Sequence, residues 1–244
     1  MATNFCYSRT LSIFSFLFLL HSGNSLYFQK PSFEANDATM VYLGAAAVRT
    51  GEIDFNPEIN YTYQVGWVIY AERVALWDSN TGQVTDFSTR FSFSIDTRGN
   101  SPGNYGHGIA FFLAPVGFQI PPNSASGFLG LYNTTTFNSP SRSRTVHVEF
   151  DSFPNEEFNE TVEHVGINNH SIFSSVSTPW NASLHSRDTA NVRITYNSTT
   201  KNLSVDWGYE STSSSQEITH LSYQIDLMKV LPEWVMAKRP RDRT

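Results

Sequence analysis

The sequence predicts an all-β fold, an antiparallel β-sandwich, and three observations carry that reading. Apolar side chains alternate with period two in Tyr63, Val65, Trp67, Ile69; in Phe91, Phe93, Ile95; in Val146, Val148, Phe150; in Val192, Ile194, Tyr196; and in Leu203, Val205, Trp207, Tyr209. Such runs are half-buried strands rather than helices. Turn-forming clusters separate them, at residues 78–82 (DSNTG), 96–104 (DTRGNSPGN) and 121–127 (PPNSASG). These spacings are too short for crossover helices, so neighbouring strands run antiparallel. Residues 109–113 (IAFFL) are apolar on both faces, as a strand covered by two layers must be. Composition agrees, with 40% apolar and 16% charged residues, 19 Phe, 11 Tyr and five Trp. That is a globular chain, not a disordered one.

Taken in chain order, the first element is not part of the fold. Arg9 precedes the apolar run 11–20 (LSIFSFLFLL), and the small residues Gly23 and Ser25 follow at a spacing that signal peptidase accepts. Residues 1–25 therefore read as a secretory signal. The run is far short of the ~20 apolar residues of a membrane span, and no later run approaches that length. The one cysteine, Cys6, lies inside this segment, so the mature chain is expected to be stabilised by its core rather than by disulfides. What remains, roughly 220 residues, suits one all-β domain over 26–235. No repeat, low-complexity tract or linker divides it. Seven N-x-S/T triplets, at Asn60, Asn133, Asn159, Asn169, Asn181, Asn197 and Asn202, agree with secretion as glycosylation sites. The expected product is a secreted, extracellular and soluble protein.

The charge balance excludes one partner class. With 22 acidic against 16 basic residues the net charge is −6, and the basic cluster Lys238, Arg239, Arg241, Arg243 is confined to the last residues. A nucleic-acid binder needs Lys and Arg gathered on one surface, so no nucleic acid is expected. The alternation Tyr223, Ile225, Leu227 leads into 231–235 (LPEWV), after which 236–244 (MAKRPRDRT) departs abruptly as a basic tail. A strand there reads as cut short.

One segment carries the chemistry. In residues 146–155 (VHVEFDSFPN), alternation sends Val146, Val148 and Phe150 to one face and His147, Glu149 and Asp151 to the other. Two carboxylates side by side on a strand need a cation, a shared proton or open water. Asn155 follows at a turn, and His164 opens the next strand. Carboxylates with a carboxamide and a backbone carbonyl suit a hard cation such as Ca²⁺, and imidazole with carboxylates suits Mn²⁺ or another transition ion. An arbitrary E-x-D is more often a solvated sheet face, and a lone His more often structural.

The run VHVEFDSFPN followed by HVGINNHSI resembles the metal-binding signature of the legume lectin family. Residues 63–96 and 106–133 (GHGIAFFLAPVGFQIPPNSASGFLGLYN) resemble the same family, most closely the extracellular lectin domains of plant L-type lectin receptor kinases. The resemblance implies a concanavalin-like jelly-roll β-sandwich with a Ca²⁺/Mn²⁺ pair beneath a shallow sugar site. Matched residue by residue, Glu149, Asp151 and His164 correspond to the transition-metal ligands, and Asp151, the Phe153 carbonyl and Asn155 to the Ca²⁺ ligands. The Phe153 ring would stack on a sugar face, the Asn155 amide would donate to hydroxyls, and the Gly127 N–H would add a backbone donor. The metals would preorganise the site, not catalyse.

Three positions depart from the family's pattern. Asn159 stands where its second bridging carboxylate belongs, with Glu160 beside it as a substitute one position away. Fewer charged ligands mean weaker divalent binding, and a glycan on Asn159 would exclude ligation through that side chain. His107 stands where the family's sugar-gripping aspartate belongs. A carboxylate accepts two hydroxyl bonds and a neutral imidazole only one. Finally, the family continues with further strands after LPEWV where this chain reads MAKRPRDRT, so the C-terminal strands are expected to be missing.

The expected function is therefore non-enzymatic binding of glycans or glycoproteins. An interaction protein with a decayed sugar site is the alternative. A jelly-roll glycoside hydrolase is the distant third, because the positions where its strand motif carries a further acid hold Phe153 and Pro154, which transfer no proton. No nucleophile elbow or phosphate-cradling loop appears, and assembly is left open.

Overall fold

The computed structural model describes residues 27, 29–55, 63–137, 139, 144–158, 161–209 and 218–236. The expected signal segment, Asn60, Asn159, Glu160 and the tail from residue 237 lie outside the described residues. The chain divides into residues 1–30 and residues 31–244, and the second unit carries every element below.

The architecture is mostly β, as the alternation predicts. One antiparallel sheet has the order β13-β12-β11-β6, from Thr219–Gln224 (β13), Asn202–Tyr209 (β12), Ala190–Asn197 (β11) and Phe87–Phe93 (β6). The other has the order β10-β9-β8-β7, from Val176–Pro179 (β10), His164–Asn169 (β9), Val146–Asp151 (β8) and Gly108–Leu113 (β7). Among the described residues, three small pairs complete the set: Met40–Gly44 (β1) with Gly66–Tyr70 (β4), Ala47–Arg49 (β2) with Glu52–Asp54 (β3), and Val74–Ala75 (β5) with Trp234–Val235 (β14).

Local chemistry explains the connections. Thr50 and Gly51, both at positive φ, close the β2–β3 hairpin, as the twist of a two-residue turn demands. Between β11 and β12 the Asn197 side chain accepts the Thr200 N–H at 2.9 Å, so an Asn-type turn reverses the chain. Two sequence expectations shift. Tyr63 precedes β4 instead of opening it, because its φ of 60° breaks the extended run. Leu227 belongs to a helical turn, Leu227–Val230 (α1), rather than to a strand continuing from Tyr223. The Leu231 N–H closes that turn on the Leu227 carbonyl at 2.9 Å, and the Leu227 side chain is fully buried.

Two cores sit on opposite faces of the β10-β9-β8-β7 sheet. Val146, Val148, Phe150, Val165 and Ile167 meet Val192, Ile194, Leu203, Val205 and Trp207 of the other sheet. Phe150 is central, edge-on to Phe93, Trp180 and Trp207 at 5.0, 5.6 and 5.8 Å. Each such side chain contributes about 1.5–3 kcal/mol by leaving water. On the outer face, Trp67, Ile69, Leu131, Tyr132, Phe158 and Ile172 form a second cluster that takes in Ala110 and Phe112. Strand β7 is therefore apolar on both faces because Ile109, Phe111 and Leu113 face one core while Ala110 and Phe112 face the other. Strand β8 is buried at all six positions, so its polar face is not the solvated surface that alternation alone suggests.

Candidate functional site

Pairing register builds the site. Asp151 stands opposite Gly108 of β7 and His164 of β9, and Glu149 stands opposite Ala110 and Gly166. The end of β8 is thus flanked by the starts of both neighbours. Glu149 is 1% exposed. Its Oε1 accepts the Ser174 hydroxyl at 2.6 Å and lies 3.2 Å from His164 Nε2, while Oε2 lies 3.4 Å from His147 Nε2. Gly166 makes this meeting possible, since a Cβ there would stand 2.7 Å from Glu149 Oε1. Burial alone would raise the Glu149 carboxyl, but the flanking imidazoles outweigh it and hold the group well below the usual carboxylate range.

A short loop then carries the chain to Asn155. Asp151 Oδ1 accepts the Phe153 N–H at 2.8 Å, and the Ser152 N–H bonds the His107 carbonyl at 2.9 Å. The loop ends in a single 3₁₀ turn, Glu156–Phe158, whose Phe158 N–H returns to the Asn155 carbonyl at 2.9 Å. Phe158 anchors that turn among Phe128, Phe137 and Phe173, with ring centroids 5.6, 5.9 and 6.2 Å away. Both ends of the loop are therefore fixed, one by a carboxylate and the other by an aromatic plug.

The four residues expected to bind sugar come together. The His107 ring lies 4.3 Å from the Phe153 ring. Gly106 permits this, because a Cβ there would stand 2.8 Å from Phe153 Cβ; the Gly106–His107 peptide is cis. Gly127 lies against the Asn155 carboxamide, where an added Cβ would meet Nδ2 at 2.5 Å and Oδ1 at 2.6 Å. Two buried polar atoms, His107 Nδ1 and Asn155 Oδ1, have no hydrogen-bond partner. A buried polar group without a partner costs about 1–3 kcal/mol, so both are positions where a bound group would restore bonding. Burial pushes the His107 imidazole below its ordinary value, against the opposing pull of Asn155 and Glu157. It is neutral at pH 7, with one donor and one acceptor.

Several participants carry no signal in the sequence. Ser126 Oγ lies 3.0 Å from His107 Nε2, and the Asn155 Nδ2–H donates to Glu157 Oε1 at 3.1 Å. His147 sits on the same strand face as Glu149, but its second contact, 3.3 Å from Nδ1 to the Tyr132 hydroxyl, depends on a distant loop. Tyr105, just before Gly106, is pushed to about 12 by burial and by the neighbouring Glu163 carboxylate, which also accepts the Ala182 N–H at 2.9 Å. The dipeptide Ser126–Gly127 and the pair Glu156–Glu157 were visible as residue types, but nothing local says which of them turns inward.

The residues present meet the implied metal pair in part. The orphaned, buried Asn155 Oδ1 and the adjacent Asp151 carboxylate are oxygen donors of the kind a hard cation takes. Glu149 and His164 meet, with Ser174 between them. Among the described residues, however, no three His, Cys, Asp or Glu side chains are gathered to hold a metal ion. Asn159 and Glu160, the remaining candidates, lie outside the described residues.

Comparison with known proteins identifies the family. Residues 25–237 match the family model described as the legume lectin domain. The chain is 46% identical over 230 residues to the L-type lectin-domain containing receptor kinase IX.1 of Arabidopsis thaliana, covering 93% of this chain and 35% of that protein. It thus spans about a third of the length of that relative. It is 36% identical over 229 residues to Agglutinin-2 of Cladrastis kentukea, covering 90% of this chain and 77% of that one. Among solved structures, lectin UEA-II complexed with galactose superposes with a TM-score of 0.73 at 33% identity, covering 84% of each chain. Family match, relatives and fold agree, and the chain belongs to the legume lectin domain family, a non-enzymatic carbohydrate-binding domain.

Proposed function

We propose that this chain is a secreted, extracellular carbohydrate-binding protein whose sugar site is formed by Phe153, Asn155, His107 and Gly127. The observation that carries this reading is the pair of buried, unpartnered atoms His107 Nδ1 and Asn155 Oδ1 beside the Phe153 ring. A pyranose offers an apolar C–H face to an aromatic ring and hydroxyls to planar polar groups, and this site presents both. Glycans or glycoproteins are the partners. Among the described residues no helix is long and apolar enough to cross a membrane.

When bound, Ca²⁺ and Mn²⁺ would supply fixed positive charge beneath the loop. Asp151, the Phe153 carbonyl and Asn155 would hold Ca²⁺, and Glu149, Asp151 and His164 would hold Mn²⁺, with Asn159 or Glu160 completing the shell. The chain's own part is orientation: Gly127 backs the Asn155 amide, Phe158 pins the turn, and Asp151 sets the Phe153 backbone. Of the sequons, Asn197 is exposed and suits a glycan. Asn133 is 9% exposed and donates to the Pro122 carbonyl at 3.2 Å, which a glycan on Nδ2 would disrupt.

Binding to immobilised monosaccharides, competed by free sugar and weakened by EDTA, is the test. Asn155→Ala should lower affinity at least tenfold while the chain still folds. One observation favours a second reading, an interaction protein with a decayed site: the imidazole of His107 in the slot the family gives to aspartate. Absence of sugar-competable binding by the folded parent would select it.

A further inference from the structure

The slot filled by His107 has lost a carboxylate, yet a carboxylate stands on the same rim. The 3₁₀ turn Glu156–Phe158 directs Phe158 inward and leaves Glu157 exposed. Glu157 Oε1 accepts the Asn155 Nδ2–H at 3.1 Å, and its charge acts on His107. Among the described residues Asn155 is its hydrogen-bond partner, through one oxygen of two. From this juxtaposition we infer that Glu157 supplies the hydroxyl-accepting carboxylate of the sugar site and makes the site select neutral glycans over uronic ones. The inference deepens the proposed lectin function and rests on it.

The chemistry is that of a donor and an acceptor side by side. A carboxamide bonded to a carboxylate presents an N–H next to a charged oxygen, which is what two adjacent sugar hydroxyls require. Hydrogen bonds to a carboxylate are roughly twice as strong as neutral ones. His107 offers ring nitrogens there but no carboxylate. An anionic sugar would bring its own carboxylate against Glu157, and close like charges repel. The negative charge therefore moves from strand β7's entry loop to the turn after Asn155, rather than disappearing.

The experiment measures the full chain against immobilised galactose, mannose, glucose, fucose and N-acetylglucosamine, and against glucuronic and galacturonic acids. The parent should prefer a neutral sugar. Glu157→Ala should weaken that sugar at least tenfold, and Glu157→Gln, which keeps the acceptor for Asn155 but not the charge, should weaken it less and narrow the discrimination against uronic acids. Introducing His107→Asp into Glu157→Ala should restore binding. Glu156→Gln, exposed and outside the site, should leave binding unchanged, and unfolding midpoints close to the parent's would show that each variant folds. Glu157→Ala and Glu157→Gln both binding within twofold of the parent would overturn the inference while leaving the lectin function standing. A folded parent that binds none of the neutral sugars would overturn both.

Discussion

The two faces of β8 are equally buried and held by opposite means. Val146, Val148 and Phe150 are 0–1% exposed, and His147, Glu149 and Asp151 are 1–2% exposed. The first set packs against the opposite sheet through dispersion and loss of apolar surface, which need shape but no direction. The second set is held by directed contacts: Glu149 with Ser174 and His164, and at 3.4 Å with His147, whose Nε2 makes no hydrogen bond, and Asp151 with the Phe153 N–H. One face therefore stabilises the sandwich, and the other spends burial on fixing where a loop begins. A strand can serve both ends only because its side chains alternate.

Truncating the apolar face should have the largest effect. Phe150→Ala removes a ring in edge contact with three others and should cost about 3–5 kcal/mol in denaturant unfolding. A loss under ~1 kcal/mol would mean the inter-sheet core collapses around the gap. On the polar face, Glu149→Gln keeps volume but removes the charge between two imidazoles, and should cost about 1–3 kcal/mol. No loss at all would mean that the Glu149 charge adds nothing to its contacts with His147 and His164.

The smallest effect concerns a histidine bonded to a backbone carbonyl. His170 Nε2–H donates to the Val230 carbonyl at 2.8 Å. Burial pushes its imidazole below the ordinary value despite that bond, and the charge of Arg144 adds to the lowering. The unfolded chain then takes up the proton first as pH falls below about 6.5. Stability should hold above that pH and decline below it, until the folded imidazole also titrates. His170→Gln should have a shallower decline between pH 7 and 5 than the parent, read from unfolding midpoints. Equal slopes would show that His170 is not among the groups responsible.

Much of this was legible before the structure. Alternation in residues 146–150, 192–196 and 203–209 gives β8, β11 and β12, and IAFFL gives a strand apolar on both faces. The grouping of His107, Gly127, Phe153 and Asn155 followed from resemblance alone, since nothing in their spacing requires His107 to lie on Phe153 or Gly127 on Asn155. Glu157 and Ser126 escaped notice because their roles depend on contacts made across loops. Leu227 misled because a four-residue helical turn and a strand end can share the same apolar spacing.

Residue order by itself determined which side chains share a face, because a pleated strand alternates whatever it later touches. It also determined the chemical types available to the site. The tertiary structure decided which of those types meet. The register of β7, β8 and β9 sets Asp151 beside His164, the aromatic plug at Phe158 turns Glu157 toward Asn155, and the glycines at 106, 127 and 166 leave room for contact. Those outcomes depend on packing between segments far apart in the chain, where short-range steric and hydrogen-bonding forces act only once the fold has brought them within reach.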